Sequence, residues 1–304
     1  MSTKSNKITG FWGNFGRTFA YIIMILFAFM AIAPVIWLII NSFKSTIEFQ
    51  TDMVGMPNNW VVSNYAGAWK IGHFSILFVN SIIYTLFSVG IATILSLMTG
   101  FAFAKIKSKA TKPIYSLLIL GILLTTQTLM VPIFIQVSQL DMGLGQLFET
   151  LRICRASDFH LFYNSRFGVI LVYIGSILPI GIYLSYEYIK GIPTEMVEAS
   201  RIDGATYNLI FFKIILPMSK PIMITLFLLK IPQIWNEFAL INIMVSKLNL
   251  QSLPLGIYKF SGTFATDYGK QFSALVIGLF PMLLFYVIFR KQITESIGEG
   301  AVKG

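Results

Sequence analysis

Long apolar stretches without charged residues alternate with polar segments along most of the chain. Five of them, at residues 19–42, 74–104, 113–140, 167–186 and 272–289, contain no Asp, Glu, Lys or Arg. A helix of about 20 apolar residues crosses the roughly 30 Å of bilayer hydrocarbon, and in lipid such segments pair their backbone groups as helices. A sixth apolar stretch, at residues 218–244, differs because it contains Lys230 and Glu237.

The pattern therefore predicts an all-α membrane protein with six transmembrane helices. The predicted spans are residues 19–42, 74–104, 113–140, 167–188, 218–244 and 272–289, in a transmembrane domain 19–290 that follows a segment 1–18 and precedes a tail 291–304. The first stretch is longer than the apolar core of a secretory signal, which has about 7 to 15 residues, so we interpret it as a retained helix. Composition agrees, since 56% of residues are hydrophobic and 12% charged.

The formal net charge of +10 follows the predicted membrane topology. With the N-terminus inside the cell, the inner segments hold fourteen Lys and Arg residues and the outer segments eight. Cytoplasmic loops carry an excess of Lys and Arg. We therefore expect both termini in the cytoplasm and no nucleic acid as a partner.

Cysteine and histidine offer no chemistry of their own. Cys154 is the only cysteine, so no internal disulfide can form. His73 and His160 have no Cys, His or carboxylate neighbour at ligand spacing, so neither a metal site nor a cofactor is expected.

Residues 193–217, between the fourth and fifth predicted spans, follow the rules for two short helices. Pro193 or Thr194 can begin the first, acidic residues suit its first turns, and Gly204 can end it in a left-handed conformation. Thr206 can cap the second helix, and Pro217 would stop it. The segment would project from the inner face as a helix, a break and a helix.

The first of these helices would present a small apolar surface formed by Met196, Val197, Ala199 and Ile202. A partner protein could bind this surface. An amphipathic turn lying on the lipid would show the same pattern. The local pattern leaves both readings open.

The order of residues in this loop resembles the "EAA" signature of the permease subunits of ABC importers. The matching residues are Glu198-Ala199-Ser200, Gly204 after three residues, and Ile214, Leu216 and Pro217 after nine more. Ser200 departs from the signature, a small residue for a small one. Flanking motifs narrow the similarity to the second permease of the maltose and multiple-sugar systems; they are Ile202-Asp203-Gly204-Ala205, Lys220-Pro221, Trp235-Asn236-Glu237-Phe238, Leu253-Pro254-Leu255-Gly256 and Gly300-Ala301-Val302-Lys303-Gly304. The resemblance implies a type I ABC importer permease-like fold in a bacterial cell membrane.

The resemblance also implies a set of partners. They are two cytoplasmic ATPase subunits, a second and different permease chain, and an extracytoplasmic sugar-binding protein. The sequence contains no Gly-x-x-x-x-Gly-Lys-Ser/Thr phosphate loop, so the chain itself is not expected to be an enzyme. The inner loop would act as a coupling helix, in which the residues that contact an ATPase subunit are Glu198, Ala199, Ser200, Asp203 and Gly204.

Polar residues inside the fifth span are the candidates for a solute pathway. Lys230 and Glu237 lie seven residues apart, so a continuous helix would place them on nearly the same side. Each would cost about 2.5 to 3.5 kcal/mol if it faced lipid at mid-bilayer. With Gln233 and Asn236 they would line the translocation pathway or make interhelical hydrogen bonds, unless the helix is shifted and Glu237 lies at the interface.

Other functions share this hydropathy. A secondary transporter or channel could use Lys230 and Glu237 as an ion relay but would not need the signature loop. An ABC permease for amino acids or metals would share the loop. An intramembrane enzyme is disfavoured, because the spans lack paired aspartates, His-Glu-x-x-His and a Ser with a His partner.

One outer segment departs from the resemblance. About twenty residues, 146–164, intervene where similar permeases pass quickly from the third span to the fourth. From its position outside the membrane we expect this segment to touch the external binding protein.

Overall fold

The computed structural model of the chain describes residues 8–106, 108–152, 155, 159–263 and 267–302. Cys154, Lys303 and Gly304 lie outside these residues. Among the described residues every regular element is helical: α1 Ile8–Ser42, α2 Thr46–Thr51, α3 Ser63–Ile71, α4 Phe74–Lys105, α5 Thr111–Leu120, α6 Thr126–Thr150, α7 Arg166–Lys190, α8 Thr194–Ile202, α9 Tyr207–Ile210, α10 Leu216–Met218, α11 Lys220–Trp235, α12 Ala239–Met244, α13 Leu253–Thr263 and α14 Tyr268–Val302. The predicted all-α class is confirmed.

Four stretches are long and apolar enough to cross a membrane: Gly16–Ser42, Phe74–Lys105, Arg166–Lys190 and Tyr268–Thr294. Two further candidates are bent pairs of helices, Thr111–Leu123 with Thr126–Thr150 at 107° and Tyr207–Met218 with Lys220–Trp235 at 70°. Within the described part of the chain the number of spans is therefore four, or six if each bent pair is one crossing.

The predicted third span, residues 113–140, is not one straight helix. A 3₁₀ turn at Gly121–Leu123 follows α5, and Leu124 is extended. Thr125 then starts α6, where its hydroxyl accepts a hydrogen bond from the Thr128 amide at 3.3 Å. A threonine in extended conformation before a helix is a typical N-cap, so the polar pair Thr125-Thr126 places the break within an otherwise apolar run.

The chain divides into two compact units. The first unit contains residues up to Ile71 together with Phe260–Leu279. Within it, the amide of Asn64 donates to the carbonyl oxygens of Ser42 and Lys44 at 3.0 and 2.9 Å, and Phe49 packs against Trp37 and Phe272. No residue of the most apolar window of α1 is buried inside the chain.

Among the described residues, the second unit contains Gly72–Lys259 and the chain from Phe280 onward, and its core forms where α4 packs along α7 and α11. Small residues bring α4 and α7 close together, since a Cβ added to Gly100 would lie 2.8 Å from the Ser185 side chain. Close backbone approach at small residues is how helices associate in lipid, where burial of apolar surface supplies no driving force. This unit carries both regions that the sequence analysis selected.

Candidate functional site

The inner loop folds as a helix, a glycine turn and a second helix. Helix α8 begins at Thr194 and ends at Ile202, and Gly204 follows with φ +83°. Nothing lies within 4 Å of a Cβ added to Gly204, so its left-handed conformation, and not steric crowding, requires glycine. Thr206 caps α9 by accepting from the Leu209 amide at 3.3 Å. These local predictions are confirmed.

The turn at Gly204 is braced from both sides. Two backbone amides of the turn donate to carbonyl oxygens of α8. The Gly204 amide donates to Arg201 at 3.1 Å, and the Ala205 amide donates to Ser200 at 2.9 Å. The Arg201 guanidinium donates to the Ala205 carbonyl at 2.9 Å and lies 4.7 Å from the centroid of the Tyr207 ring. The break therefore has one defined geometry.

The two faces of α8 differ in exposure. Val197 is 3% exposed and packs with Ile210 and Ile215 in a buried cluster, so the prediction that it belongs to the free apolar surface is wrong. Its side chain points inward because the following helices fold back under α8. Ile202 stays 87% exposed and Met196 39%.

The predicted contact residues lie mostly on the outer face. Glu198, Ala199, Asp203 and Gly204 are exposed, whereas Ser200 is half-buried and its hydroxyl donates to the Met196 carbonyl at 2.7 Å. Among the described residues, the Glu198 carboxylate has no ion pair or side-chain hydrogen bond. Four of the five residues are therefore accessible to a partner.

Lys105, which the sequence analysis did not select, connects this loop to the bundle. Its ammonium, at the end of α4, donates to the Ile192 carbonyl at 2.5 Å and to the Thr194 hydroxyl at 3.1 Å. Tyr188 on α7 similarly donates to the Met218 carbonyl at 3.0 Å. The loop is therefore attached to both central helices.

The second helix of the loop does not stop at Pro217, contrary to the prediction. The backbone continues through a π turn at Phe211–Ile215 and then α10, Leu216–Met218. A proline clashes with the carbonyl four residues earlier, and the widened π turn, in which the Leu216 amide donates to the Phe211 carbonyl, relieves that crowding. The helix is only interrupted at Ser219, before α11.

The fifth predicted span contains a second break. Helix α11 ends at Trp235 and α12 begins at Ala239, so residues 236–238 are not helical. Lys230 and Glu237 therefore do not share one continuous helix, and the prediction that rested on their seven-residue spacing is wrong. Helix α11 closes with the Asn236 amide, which donates to the Pro232 carbonyl at 3.1 Å.

Glu237 holds this break together. Its carboxylate accepts from the Leu240 amide at 2.7 Å and the Ile241 amide at 3.3 Å, which are free donors at the start of α12. The Tyr173 hydroxyl on α7 donates to the same carboxylate at 2.7 Å. One side chain thus caps α12 and ties it to the central bundle.

A cavity of about 200 Å³ lies beside the break. Its polar lining comes from α6, α7, the end of α11 and the broken segment, and consists of Thr126, Gln127, Tyr173, Ser176, Gln233, Asn236 and Glu237. These hydroxyl, amide and carboxylate groups can donate and accept hydrogen bonds without a metal. Within the described ranges, no three His, Cys, Asp or Glu side chains are grouped so that they could hold a metal ion.

Three of the four predicted polar residues meet at this cavity, and one does not. Gln233, Asn236 and Glu237 line it, whereas Lys230 is 9% exposed and donates to the Gln233 side chain at 2.8 Å. Sequence reasoning missed Tyr173, because its contact with Glu237 joins residues 64 apart in the chain.

The outer segment is anchored at both ends of its described part. Asp141 is 5% exposed, and its carboxylate accepts from the amides of Leu161, Phe162 and Tyr163 at 3.1, 3.0 and 2.6 Å. Phe148 stacks on Phe159 with ring centroids 5.0 Å apart. The chain leaving α6 is thereby held next to the chain entering α7.

Comparisons with known proteins agree with this architecture. Residues 70–293 match the family model described as binding-protein-dependent transport system inner membrane component. A probable starch degradation products transport system permease protein, AmyC of Thermoanaerobacterium thermosulfurigenes, is 30% identical over 279 residues, 92% of this chain and 94% of that protein. The multiple sugar-binding transport system permease protein MsmG of Streptococcus mutans is 30% identical over 306 residues, 99% of each chain.

A solved structure has the same fold. It is the crystal structure of a bacterial ABC transporter involved in the import of the acidic polysaccharide alginate, and one of its chains superposes with a TM-score of 0.73. The superposition covers 95% of this chain and 99% of that chain at 19% sequence identity.

Proposed function

The chain belongs to the family of binding-protein-dependent transport system inner membrane components, and from this premise we propose that it is the membrane-spanning permease subunit of an ATP-driven sugar importer. Two observations support a sugar as the solute. Relatives named for starch degradation products and for multiple sugars match almost the whole chain. Besides the Glu237 carboxylate, the polar lining of the cavity consists of hydroxyl and amide groups, which suit a polyhydroxylated solute.

We propose that α8 is the element through which ATP hydrolysis acts. The single observation that carries this proposal is the contrast between the two faces of α8: Val197 is buried in the bundle core, while Glu198 is exposed and unpaired among the described residues. A force applied to the outer face is transmitted to α4 through the hydrogen bonds of Lys105. The Glu198 carboxylate is available for a basic residue of an ATPase subunit.

The proposed assembly has several further members. They are two cytoplasmic ATPase subunits, a second and different permease chain that supplies the other half of the pathway, and an extracytoplasmic sugar-binding protein. The excess of Lys and Arg in the inner segments supports a cytoplasmic location for both termini. The anchored outer segment, residues 146–164, is proposed to touch the binding protein.

The polar residues at the broken helix receive different roles in this proposal. Gln233 and Asn236 contact the solute, because they line the cavity and their amides both donate and accept. Glu237 is a positioning residue, since its carboxylate already accepts three hydrogen bonds. Lys230 orients Gln233 through their hydrogen bond of 2.8 Å.

ATP-dependent uptake tests the proposed function. The chain, expressed with its partner subunits and reconstituted in liposomes, should import a labelled maltodextrin when ATP is enclosed and the binding protein is outside. Glu198→Arg should abolish the stimulation of ATP hydrolysis, whereas Glu187→Arg, an exposed carboxylate on α7, should not. Uptake that is driven by an ion gradient and does not depend on ATP would establish a secondary transporter instead.

A further inference from the structure

A second cavity opens near the inner loop, away from the broken helix. It has a volume of about 670 Å³ and is formed by the end of α4, the start of α5 and Tyr186 on α7. Lys105, at the end of α4, donates to Thr194 in the first turn of α8, so this cavity lies at the same end of the bundle as α8. Nothing in the proposed transport cycle uses it.

The polar lining of this cavity is cationic. Lys109 and Lys112 line it together with the hydroxyl groups of Ser108 and Thr111. Both lysines are exposed, and no carboxylate of the described residues forms an ion pair with either ammonium. Glu187, on the neighbouring helix, lies 3.9 Å from the ammonium of Lys190. The cavity is therefore suited to an anion.

The apolar surroundings of the cavity indicate what kind of anion. Phe103 and Tyr186 are its aromatic lining residues, and Tyr115 packs against both, with ring centroids 5.7 and 4.4 Å away. Along α5, the side chains at positions 114, 117 and 120 repeat every three residues and form one exposed apolar strip. A ligand with a charged head and long apolar tails would match both surfaces.

We propose that this cavity binds the headgroup of an anionic phospholipid. The phosphate lies between Lys109 and Lys112, and the acyl chains run along the strip Ile114, Leu117 and Leu120, which are 47%, 69% and 56% exposed. Basic cavities between transmembrane helices on the cytoplasmic side are suited to such headgroups, and the anionic cytoplasmic leaflet supplies them. Through Lys105 and Thr194, an occupied site would steady the base of α8. The inference does not depend on which solute is carried.

Lipid retention by the intact complex tests this inference. The full-length chain, purified in detergent with its partner subunits, is titrated with dioleoyl phosphatidylglycerol or dioleoyl phosphatidylcholine, and bound lipid is counted by native mass spectrometry. The wild type should bind one phosphatidylglycerol more tightly than phosphatidylcholine. Lys109→Gln with Lys112→Gln should weaken that binding roughly 30-fold, from about 1 kcal/mol per lysine. Lys109→Arg with Lys112→Arg should retain it.

Controls separate this site from other sources of the same result. Lys220→Gln, at an exposed lysine that does not line the cavity, should leave retention unchanged. Equal retention by the wild type and the double glutamine variant would overturn the proposal, and so would equal binding of the two lipids. Displacement of the lipid by 10 mM inorganic phosphate would overturn the proposal and indicate a site for free phosphate. If the double glutamine variant lost its ATPase subunits but retained the lipid, the two lysines would instead contact protein.

Discussion

Two of the helix breaks have opposite character, the one at Gly204 in the inner loop and the one at residues 236–238 beside the cavity. At Gly204 the break depends on a backbone conformation, φ +83°, and the side chains around it are exposed. At 236–238 the break depends on a side chain, because the Glu237 carboxylate accepts the free amides of α12. In the proposed function, the first break presents a surface to an ATPase subunit and the second borders the space for the solute.

The surroundings explain why the two breaks are built differently. Outside the membrane, water can pair with the free amides and carbonyls of a helix end, so a glycine turn is enough. Within the apolar stretch, each unpaired backbone group would cost several kcal/mol, so the break needs its own acceptor. Glu237 supplies that acceptor, and Tyr173 holds the carboxylate in place.

Gly204→Trp should give the largest effect, because it strains the backbone conformation of the exposed break and also covers the surface around it. A residue with a Cβ in the left-handed region costs about 1 to 2 kcal/mol, and the indole would occupy the surface proposed to meet the ATPase subunit. We expect complete loss of ATPase stimulation by solute-loaded binding protein, measured as phosphate release from the reconstituted complex.

Gly204→Ala is the matched control for that variant. It adds the same conformational strain but almost no bulk, in a position where nothing lies within 4 Å of the added Cβ. Partial stimulation by the alanine variant with none by the tryptophan variant would assign the effect to the contact surface. Normal transport by Gly204→Trp would contradict the role of this loop in coupling.

Glu237→Gln should give the next largest effect, this time on the enclosed break. Glutamine keeps the shape but loses the charge, and hydrogen bonds to charged groups each contribute about 1.5 to 3 kcal/mol. We expect a lower melting temperature of the complex and weaker solute binding, because the cavity wall formed by Asn236 would shift. Differential scanning fluorimetry and a binding isotherm measure the two effects, and Glu187→Gln serves as the control at an exposed carboxylate.

This variant also separates the two breaks. The Glu237→Gln complex should keep its stimulation of ATP hydrolysis through α8, since the hydrogen bonds of Arg201 and Lys105 in the inner loop are unchanged. An unaltered melting temperature would show that the carboxylate is not what stabilises the start of α12.

The sequence predicted the exposed break better than the enclosed one, and the reason is the range of the interactions. Thr194, Gly204 and Thr206 act on neighbours within four residues, so local rules place them. Val197 was misjudged because its burial depends on Ile210 and Ile215 folding beneath it. The end at Pro217 was misjudged because a π turn accommodates the proline, which no local rule for this segment indicated.

The sequence predicted the residues of the enclosed break but not their arrangement. Polar residues in an apolar stretch identified Gln233, Asn236 and Glu237, since their burial in lipid demands partners. Their arrangement could not be derived, because the apolar pattern of this stretch indicates a helix that continues through residue 236. The Tyr173 hydroxyl and the α6 residues of the cavity come from distant parts of the chain. The packing of α6 against α12, and of α7 against α11 and α12, brings them together.

Tyr173→Phe should have a smaller effect than Glu237→Gln, because it removes one of three hydrogen bonds to the carboxylate. One hydrogen bond to a charged group contributes about 1.5 to 3 kcal/mol to stability. The destabilisation should not exceed this range, because phenylalanine keeps the buried ring. Combining the two variants sharpens the result: the double variant should be little less stable than Glu237→Gln alone, because the hydroxyl then has no charged partner. Strictly additive losses would show that Tyr173 acts independently of Glu237.

Arg201→Ala should have the smallest effect and bears on the exposed break alone. The guanidinium donates to the Ala205 carbonyl and lies 4.7 Å from the Tyr207 ring centroid, an exposed cation–π contact worth about 0.5 to 1 kcal/mol. Loosening the turn should reduce ATPase stimulation about twofold and leave solute affinity at the cavity unchanged, because the Glu237 network shares no residue with it. The ATPase stimulation of Arg201→Lys should fall between those of the wild type and the alanine variant. An ammonium keeps the charge over the ring but lacks the planar guanidinium with its fixed N–H donors. If Arg201→Ala instead changed solute affinity as strongly as coupling, the two breaks would be parts of one network, and the division between a protein-contacting break and a solute-contacting break would be wrong.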